Sequence, residues 1–217
     1  MMSATNMPSN LESAFADYDE AIRLHPQGGW AYIGRGQMQY TIRGDARASK
    51  ADLEFAAAHG TRTEQSEAHF YLGKLSARLA DWKSGVEHFE QSAALRPDFA
   101  AYLNAARILA MSPDPGIRDG ARAYALVQKA LGLTAADSET NETLAAAYAC
   151  AGQFDEAIRA QKLAIELHGK DSGSPDSSYG RRLREELSTL QKHELLIDGP
   201  ETWWTNNKGV IELKTVP

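Results

Sequence analysis

The 217-residue sequence has a single cysteine and no long apolar run. Cys150 cannot form a disulfide within the chain, which agrees with a reducing compartment. The N-terminal stretch MMSATNMPSN has neither the basic nor the apolar region of a secretion signal. No apolar run approaches the roughly 18 residues that a membrane span needs. We therefore expect a cytoplasmic protein that does not bind a membrane.

The sequence also has fewer basic residues (23 Lys and Arg) than acidic ones (29 Asp and Glu). The formal net charge is -6 and the pI is about 5.5. A protein that binds nucleic acid in general needs a basic surface to contact phosphates, so we expect no nucleic-acid partner. The hydrophobic content of 43% is ordinary for a folded chain.

Motifs of catalysis and metal binding are missing from the sequence. It contains no P-loop, no G-x-G-x-x-G after a strand and no G-x-S-x-G. The six histidines form no HExxH pair and no cluster at metal-ligand spacing. Cys150 lies in an alanine-rich stretch, which is typical of a small buried thiol. We expect a protein that is not an enzyme and that holds no metal and no other cofactor.

What the sequence does contain is an internal repeat. Five amphipathic stretches each carry a small residue at the same place, at intervals of 35, 36, 38 and 34 residues: Ala21, Ala56, Ser92, Ala130 and Ala164. A period close to 34 residues predicts helix-turn-helix repeats. Gly44-Asp45 and Gly152-Gln153 are typical turns between paired helices, and Ala80-Asp81 is a weaker version.

Small residues also recur where two helix axes would cross. A bulky side chain there would push the helices beyond the roughly 8–10 Å at which they pack. The residues concerned are Gly73, Gly85 and Ser92 in one unit, and Ala145, Ala157 and Ala164 in another.

These residues resemble the tetratricopeptide repeat (TPR) family. Its pattern is met best by Leu72-Gly73, Asp81, Gly85, Phe89, Ser92 and Pro97, and again by Leu144-Ala145, Tyr148, Gly152, Ala157 and Ala164. The stretch SPDPGIRDG (112–120) resembles an extended inter-helix turn of some bacterial arrays in this family. The resemblance implies an all-α, right-handed superhelical solenoid of about four and a half repeats.

The resulting domain prediction divides the chain as follows. Residues 1–10 are a flexible N-terminus, and the array covers 11–167 as a half repeat (11–26) and four repeats (30–60, 66–97, 99–133, 138–167). A linker (168–180), a capping helix (181–196) and a tail (197–217) follow. The tail contains Trp203-Trp204 and fits a short hairpin, with the tryptophans either anchoring the tail or binding a partner.

In the family that the chain resembles, the first helix of each repeat lines a concave groove. The resemblance places twelve side chains along it: Arg35, Met38, Phe70, Tyr71, Lys74, Arg78, Leu103, Asn104, Arg107, Glu139, Glu142 and Thr143, of which the first nine form the predicted binding site. We expect a scaffold that binds another protein or a peptide there, with an acidic segment favoured by the four cations. The alternative is that these long basic side chains are simply solvated. The carboxylate clamp of some relatives is not reproduced, so we do not expect a cochaperone.

The first helix is the second half of a repeat whose first half is missing. Three explanations fit this arrangement: a truncated array, an adapted cap, or self-association into a homo-oligomer through Phe15, Tyr18 and Ile22. A further alternative is that the chain is a regulatory module of a larger protein whose catalytic domain is absent.

Overall fold

The computed structural model describes residues 9–172 and 176–199, with side chains described over 11–170 and 176–199. Every regular element in these ranges is an α-helix. The ten helices are α1 (Ser9–Leu24), α2 (Gly29–Arg43), α3 (Ala46–His59), α4 (Arg62–Arg78), α5 (Trp82–Leu95), α6 (Phe99–Met111), α7 (Gly120–Leu131), α8 (Ser138–Cys150), α9 (Phe154–Ser172) and α10 (Ser178–Gln191).

The helices form two compact units. Unit 1 contains α1 to α5, and unit 2 contains α6 to α10 within Asp98–Gly199. In both units the helices pack as consecutive antiparallel pairs, α2 with α3, α4 with α5, α6 with α7 and α8 with α9. We call α2, α4, α6 and α8 the first helices and their partners α3, α5, α7 and α9 the second helices. The all-α repeat fold expected from the sequence is therefore confirmed.

The turns between paired helices follow the prediction. Gly44 has a left-handed backbone (φ 67°) that ends α2, and the Asp45 carboxylate accepts a hydrogen bond from the Ala48 amide at 2.9 Å, which caps α3. Gly152 (φ 77°) ends α8 in the same conformation. Ala80 also takes it, with φ 60°. A Cβ atom makes this conformation costly, so the weaker turn predicted at Ala80-Asp81 carries backbone strain.

Ala80→Gly should raise the free energy of unfolding of unit 1 by about 0.5–1 kcal/mol. The left-handed conformation costs an L-residue about 1–2 kcal/mol, of which the greater freedom of glycine in the unfolded chain returns a part. Urea denaturation measures the change. The control Ala51→Gly, at an exposed interior position of α3, should instead lower stability by about 1 kcal/mol. A loss at Ala80 equal to that at Ala51 would contradict the strain.

The small residues lie at close contacts, as predicted. Ala145, Ala157 and Ala164 are fully buried, and Ser92 is nearly so. A Cβ atom at Gly73 would lie 2.8 Å from the Phe89 ring, closer than side chains tolerate. Gly120 shows a further close approach, because its Cβ would lie 2.6 Å from the backbone nitrogen of Ala151. The first contact sets the spacing of α4 and α5, and the second that of α7 and α8.

Helix α4 begins at Arg62, four residues before the predicted repeat boundary at 66. The cause is a capping box, in which the backbone amide and hydroxyl of Thr61 both donate to the Glu64 carboxylate at 2.7 Å. The other oxygen of Glu64 accepts from the Trp30 amide at 3.0 Å, so one carboxylate caps α4 and α2. Burial opposes ionisation of Glu64, but these backbone donors outweigh it and lower its pKa.

The boundaries near the C-terminus also differ from the prediction. Helix α9 continues to Ser172, into the predicted linker, because Gly169 keeps a helical conformation. Helix α10 begins at Ser178 rather than 181, since the Ser177 hydroxyl accepts from the Gly180 amide, and it ends at Gln191 rather than 196. The Trp203-Trp204 tail, the expected hairpin and residues 1–8 lie outside the described residues.

Candidate interaction surfaces

Arg35 binds carboxylates of its own chain. Its guanidinium donates two hydrogen bonds to Asp52 on α3, at 2.8 and 2.7 Å, and one to Asp19 on α1 at 2.7 Å. The hydrogen bonds to Asp52 raise its pKa. Arg35 therefore ties α1, α2 and α3 together, whereas the sequence predicted a groove cation that would meet a partner.

The predicted aromatic pair on α4 contributes to packing within unit 1. The Phe70 ring meets the Phe89 ring of α5 edge to face, with centroids 5.6 Å apart, and contacts Tyr71 in the same manner. Tyr71 is hydrogen-bonded to Gln37, which links α4 to the neighbouring first helix α2. Burial is the main cause that raises the Tyr71 pKa. Both rings remain partly exposed, so they form the floor of a surface on α2 and α4.

Three more predicted residues complete this surface. Met38 on α2 and Lys74 and Arg78 on α4 are all partly exposed. The Lys74 ammonium lies 6.0 Å from the centroid of the Phe70 ring, within cation–π range. We call Met38, Phe70, Tyr71, Lys74 and Arg78 the unit 1 surface.

The three predicted residues of α6 have different environments in unit 2. Leu103 is buried, and the Asn104 amide donates to the Ala100 carbonyl of its own helix at 2.8 Å. Arg107, one turn after Leu103 on the same face, donates from Nε to the Asp198 carboxylate. The structure therefore does not leave this face of α6 open, because residues near the C-terminus cover it at Arg107.

The residues proposed for self-association pack within unit 1. Phe15 is buried, with the Arg43 guanidinium 3.7 Å from its ring centroid. The Tyr18 ring lies directly on Gly34 of α2, where a Cβ atom would come within 2.5 Å of it. Ile22 is partly exposed. Two of the three side chains are thus used to attach α1 to α2.

Sequence reasoning missed a pair of histidines in unit 1. His69 on α4 and His88 on α5 approach with their Nδ1 atoms 3.2 Å apart and their rings stacked. Burial, followed by the charge of His88, lowers the His69 pKa to about 4, and burial also lowers that of His88. The repeat could have indicated the pair, because the two positions lie on paired helices of one repeat. Among the described residues, no group of three or more His, Cys, Asp or Glu side chains could hold a metal.

Acidification should destabilise unit 1 between pH 7 and 5. The unfolded chain binds protons near pH 6.5 and folded His69 only near pH 4, so the stability of the neutral pair is lost as the pH falls below 6.5. Because the pair is partly exposed, we expect a loss of about 1–2 kcal/mol by pH 5. Urea denaturation at both pH values measures it. His69→Gln should remove most of the difference in the free energy of unfolding between pH 7 and pH 5. His59→Gln, at an exposed position, should leave that difference unchanged. An equal difference in both variants would exclude the pair as its source.

A buried ionic cluster joins α8 and α10 in unit 2. Arg182 donates to Glu142 at 2.6 Å and to Glu186 at 2.8 Å, and the Tyr179 hydroxyl donates to Glu142 at 2.8 Å. Gln161 of α9 donates to Glu186 and to the Leu183 carbonyl. Burial, followed by the charge of Glu142, raises the Glu186 pKa to about 7. Helix α10 thus has ionic contacts with α8 and α9, and its Leu183 and Leu190 are buried.

Cys150 is partly buried, and burial raises the pKa of its thiol, which makes it a poor nucleophile. The described helices include none that has both the length and the apolar character needed to cross a bilayer.

The solved structures that share this fold include several TPR proteins, at low sequence identity. YrrB, described as a TPR protein with an unusual peptide-binding site, is 20% identical with a TM-score of 0.61, over 81% of this chain and 84% of that chain. A MamA structure is 17% identical with a TM-score of 0.60, over 76% and 86%. TTC0263 from Thermus thermophilus, a thermophilic TPR protein, is 18% identical with a TM-score of 0.54, over 84% and 91%.

No family model and no curated protein matches the sequence. The similarity to solved structures therefore establishes the fold: the chain is a TPR-type helical repeat array.

Proposed function

We propose that this protein is a non-catalytic scaffold that binds a segment of another protein through its first helices. The observation that carries the proposal is the unit 1 surface, on which the partly exposed rings of Phe70 and Tyr71 share α4 with Lys74 and Arg78. Partly exposed aromatic rings beside cations are a combination that binds peptide segments with apolar and acidic side chains. The peptide-binding site that the YrrB structure is described as having supports this use of the fold.

The charge of the unit 1 surface favours an acidic ligand. Arg35 forms ion pairs with Asp19 and Asp52, and the other two cations of this region, Lys74 and Arg78, are partly exposed on α4. Lys74 lies within cation–π range of the Phe70 ring, and Arg78 follows one turn later on α4, so charge lies next to the apolar rings. An acidic segment would gain charge attraction there, and its apolar side chains would gain buried area on the rings.

Selection from a random peptide library tests this function without a known partner. The immobilised chain should enrich peptides that contain Asp or Glu next to apolar residues. Lys74→Glu/Arg78→Glu should lose these peptides or select basic ones. The matched control Arg47→Glu/Lys83→Glu reverses two exposed cations of the second helices α3 and α5 and should select the parent's peptides. Selection that is unchanged by Lys74→Glu/Arg78→Glu would place the site elsewhere.

A further inference from the structure

The residues after α10 lie on unit 2 as an extended segment. His193, two residues after the end of α10, has a left-handed backbone (φ 60°), and its ring stacks on that of Phe154 of α9 with centroids 4.9 Å apart. Beyond it, the exposed fraction alternates: Leu196 is 4% exposed, Ile197 51% and Asp198 6%. Alternation with a period of two is characteristic of an extended chain that lies along a surface.

Two polar contacts fix the end of this segment on α6. The Asp198 carboxylate accepts a hydrogen bond from Arg107, with side chains that are 7% and 17% exposed respectively. The backbone amide of Asp198 donates to the Met111 carbonyl at 2.8 Å. Met111 is the last residue of α6, so its carbonyl has no acceptor role within its own helix. The segment thus supplies a carboxylate to a groove arginine and a donor to a helix end.

The segment connects two helices of unit 2, α9 and α6. Five residue steps separate the contact on Phe154 from the contact on Arg107, and an extended chain covers about 17 Å in five steps. This length equals about two spacings between packed helices. The segment therefore leads from Phe154 at the start of α9 to Arg107 and Met111 on α6.

We propose that the place of residues 194–199 on α6 is a peptide-binding site, and that this segment occupies it in the absence of a partner. The ligand is an extended segment of another protein with an aliphatic residue two positions before an Asp or Glu. The aliphatic side chain takes the place of Leu196, and the carboxylate binds Arg107. The partner segment makes the same contacts as the segment that it displaces, since one of its backbone amides also donates to the Met111 carbonyl. This inference rests on the proposed scaffold function and assigns a second ligand class to it.

The first test uses a labelled peptide of residues 192–199 and fluorescence anisotropy. Leu196→Ser/Asp198→Ser should vacate the site, and this variant should bind the peptide at least about tenfold more tightly than the parent. The reason is that a tethered segment acts at roughly millimolar effective concentration and competes with the added peptide. Equal affinity for both proteins, or no binding to a folded variant, would overturn the proposal.

Matched variants identify the contacts of the peptide. In the vacated protein, Arg107→Met should weaken binding by about tenfold, the range of a charge-assisted contact. Arg122→Met, at an exposed position on the second helix α7, should leave it unchanged. Equal losses from both substitutions would overturn the assignment to Arg107. A parent dimer linked by exchanged C-terminal segments, seen in sedimentation, would assign the site to a second copy and overturn the proposal.

Hydrogen exchange of the parent tests the displacement without any substitution. The Asp198 amide should exchange through a local opening, at least about 100-fold faster than the central amides of α6 and α8. Excess peptide should accelerate it further and leave those helices protected. Exchange of Asp198 only together with α6 would mean that the segment is a permanent part of unit 2 and would overturn the proposal. That failure would leave the peptide selection on the unit 1 surface untouched, so the two proposals fail separately.

Discussion

Phe89→Ala should lower the free energy of unfolding of unit 1 by about 3–5 kcal/mol, the range for removing a buried aromatic side chain. Phe89 has no solvent exposure. Its ring lies against Gly73 of α4, where no side chain is available to move into the space, and against the edge of Phe70. The vacated volume therefore cannot be refilled from α4 without a change in helix spacing.

Hydrogen exchange in a urea gradient, read on peptides of α4 and α5, measures this loss within unit 1. The matched control is Phe55→Ala on α3, because Phe55 is partly exposed between Tyr32 and His59 and should cost about half as much. Equal losses for both variants would mean that the α4–α5 contact has no special role.

The pairing of Phe89 with Gly73 adds a test of complementarity. Gly73→Ala alone should cost about 1–3 kcal/mol, since its new Cβ would overlap the ring. Combined with Phe89→Leu, it should cost less than the sum of the two single changes by about 0.5 kcal/mol or more. Strict additivity would show that the glycine is required for a reason other than the ring.

Arg182→Met should lower the free energy of unfolding of unit 2 by about 2–4 kcal/mol at neutral pH. Removing one partner of a buried ion pair costs about 3–5 kcal/mol, and the partial exposure of Arg182 reduces this range. The Glu142 side chain is only 4% exposed, so the variant leaves a buried carboxylate beside Glu186 without a cation. Exchange of the α8 and α10 amides in a urea gradient measures the loss.

The pH dependence of this loss follows from Glu186. The Glu186 pKa is already raised to about 7 by burial, and loss of Arg182 raises it further. A raised folded pKa contributes stability below the unfolded value near 4.5, which is lost as the pH rises through the folded value. Arg182→Met should therefore be less harmful at pH 5.5 than at pH 8.

Two variants complete this test. Arg184→Met removes an exposed ion pair with Asp176 and should change stability by less than about 0.5 kcal/mol. Glu142→Met/Arg182→Met should recover most of the loss, because an apolar pair of similar size needs no partner. A double variant as unstable as Arg182→Met would contradict the ionic explanation.

The local rules of helix pairing made the fold predictable. The 34-residue period, the glycines at the turns and the small residues at close contacts each act through neighbours in one repeat. Gly44, Gly73 and Ala164 could therefore be assigned from spacing alone, and the structure confirms each of them. The sequence could not predict that Glu64 also caps α2, because its contact with the Trp30 amide joins residues 34 positions apart and follows no known motif.

The surfaces were harder to predict because charge pairing is a tertiary property. Arg35 and Arg107 were expected to meet a partner, but carboxylates from other elements reach both. The pair Arg107–Asp198 joins residues 91 positions apart, and it forms because the segment after α10 reaches α6. No repeat pattern extends into that segment, so spacing could not indicate the contact.

The central claim, that the first helices carry the interaction surface, is tested most directly by amide chemical shifts. The labelled chain would be titrated with a peptide enriched in the library selection, and the residues whose amides shift would be mapped. We expect the amide chemical shift changes to be concentrated on the first helices and to be largest on α4 around Phe70, Lys74 and Arg78. Shifts confined to the second helices α3, α5, α7 and α9 would contradict it.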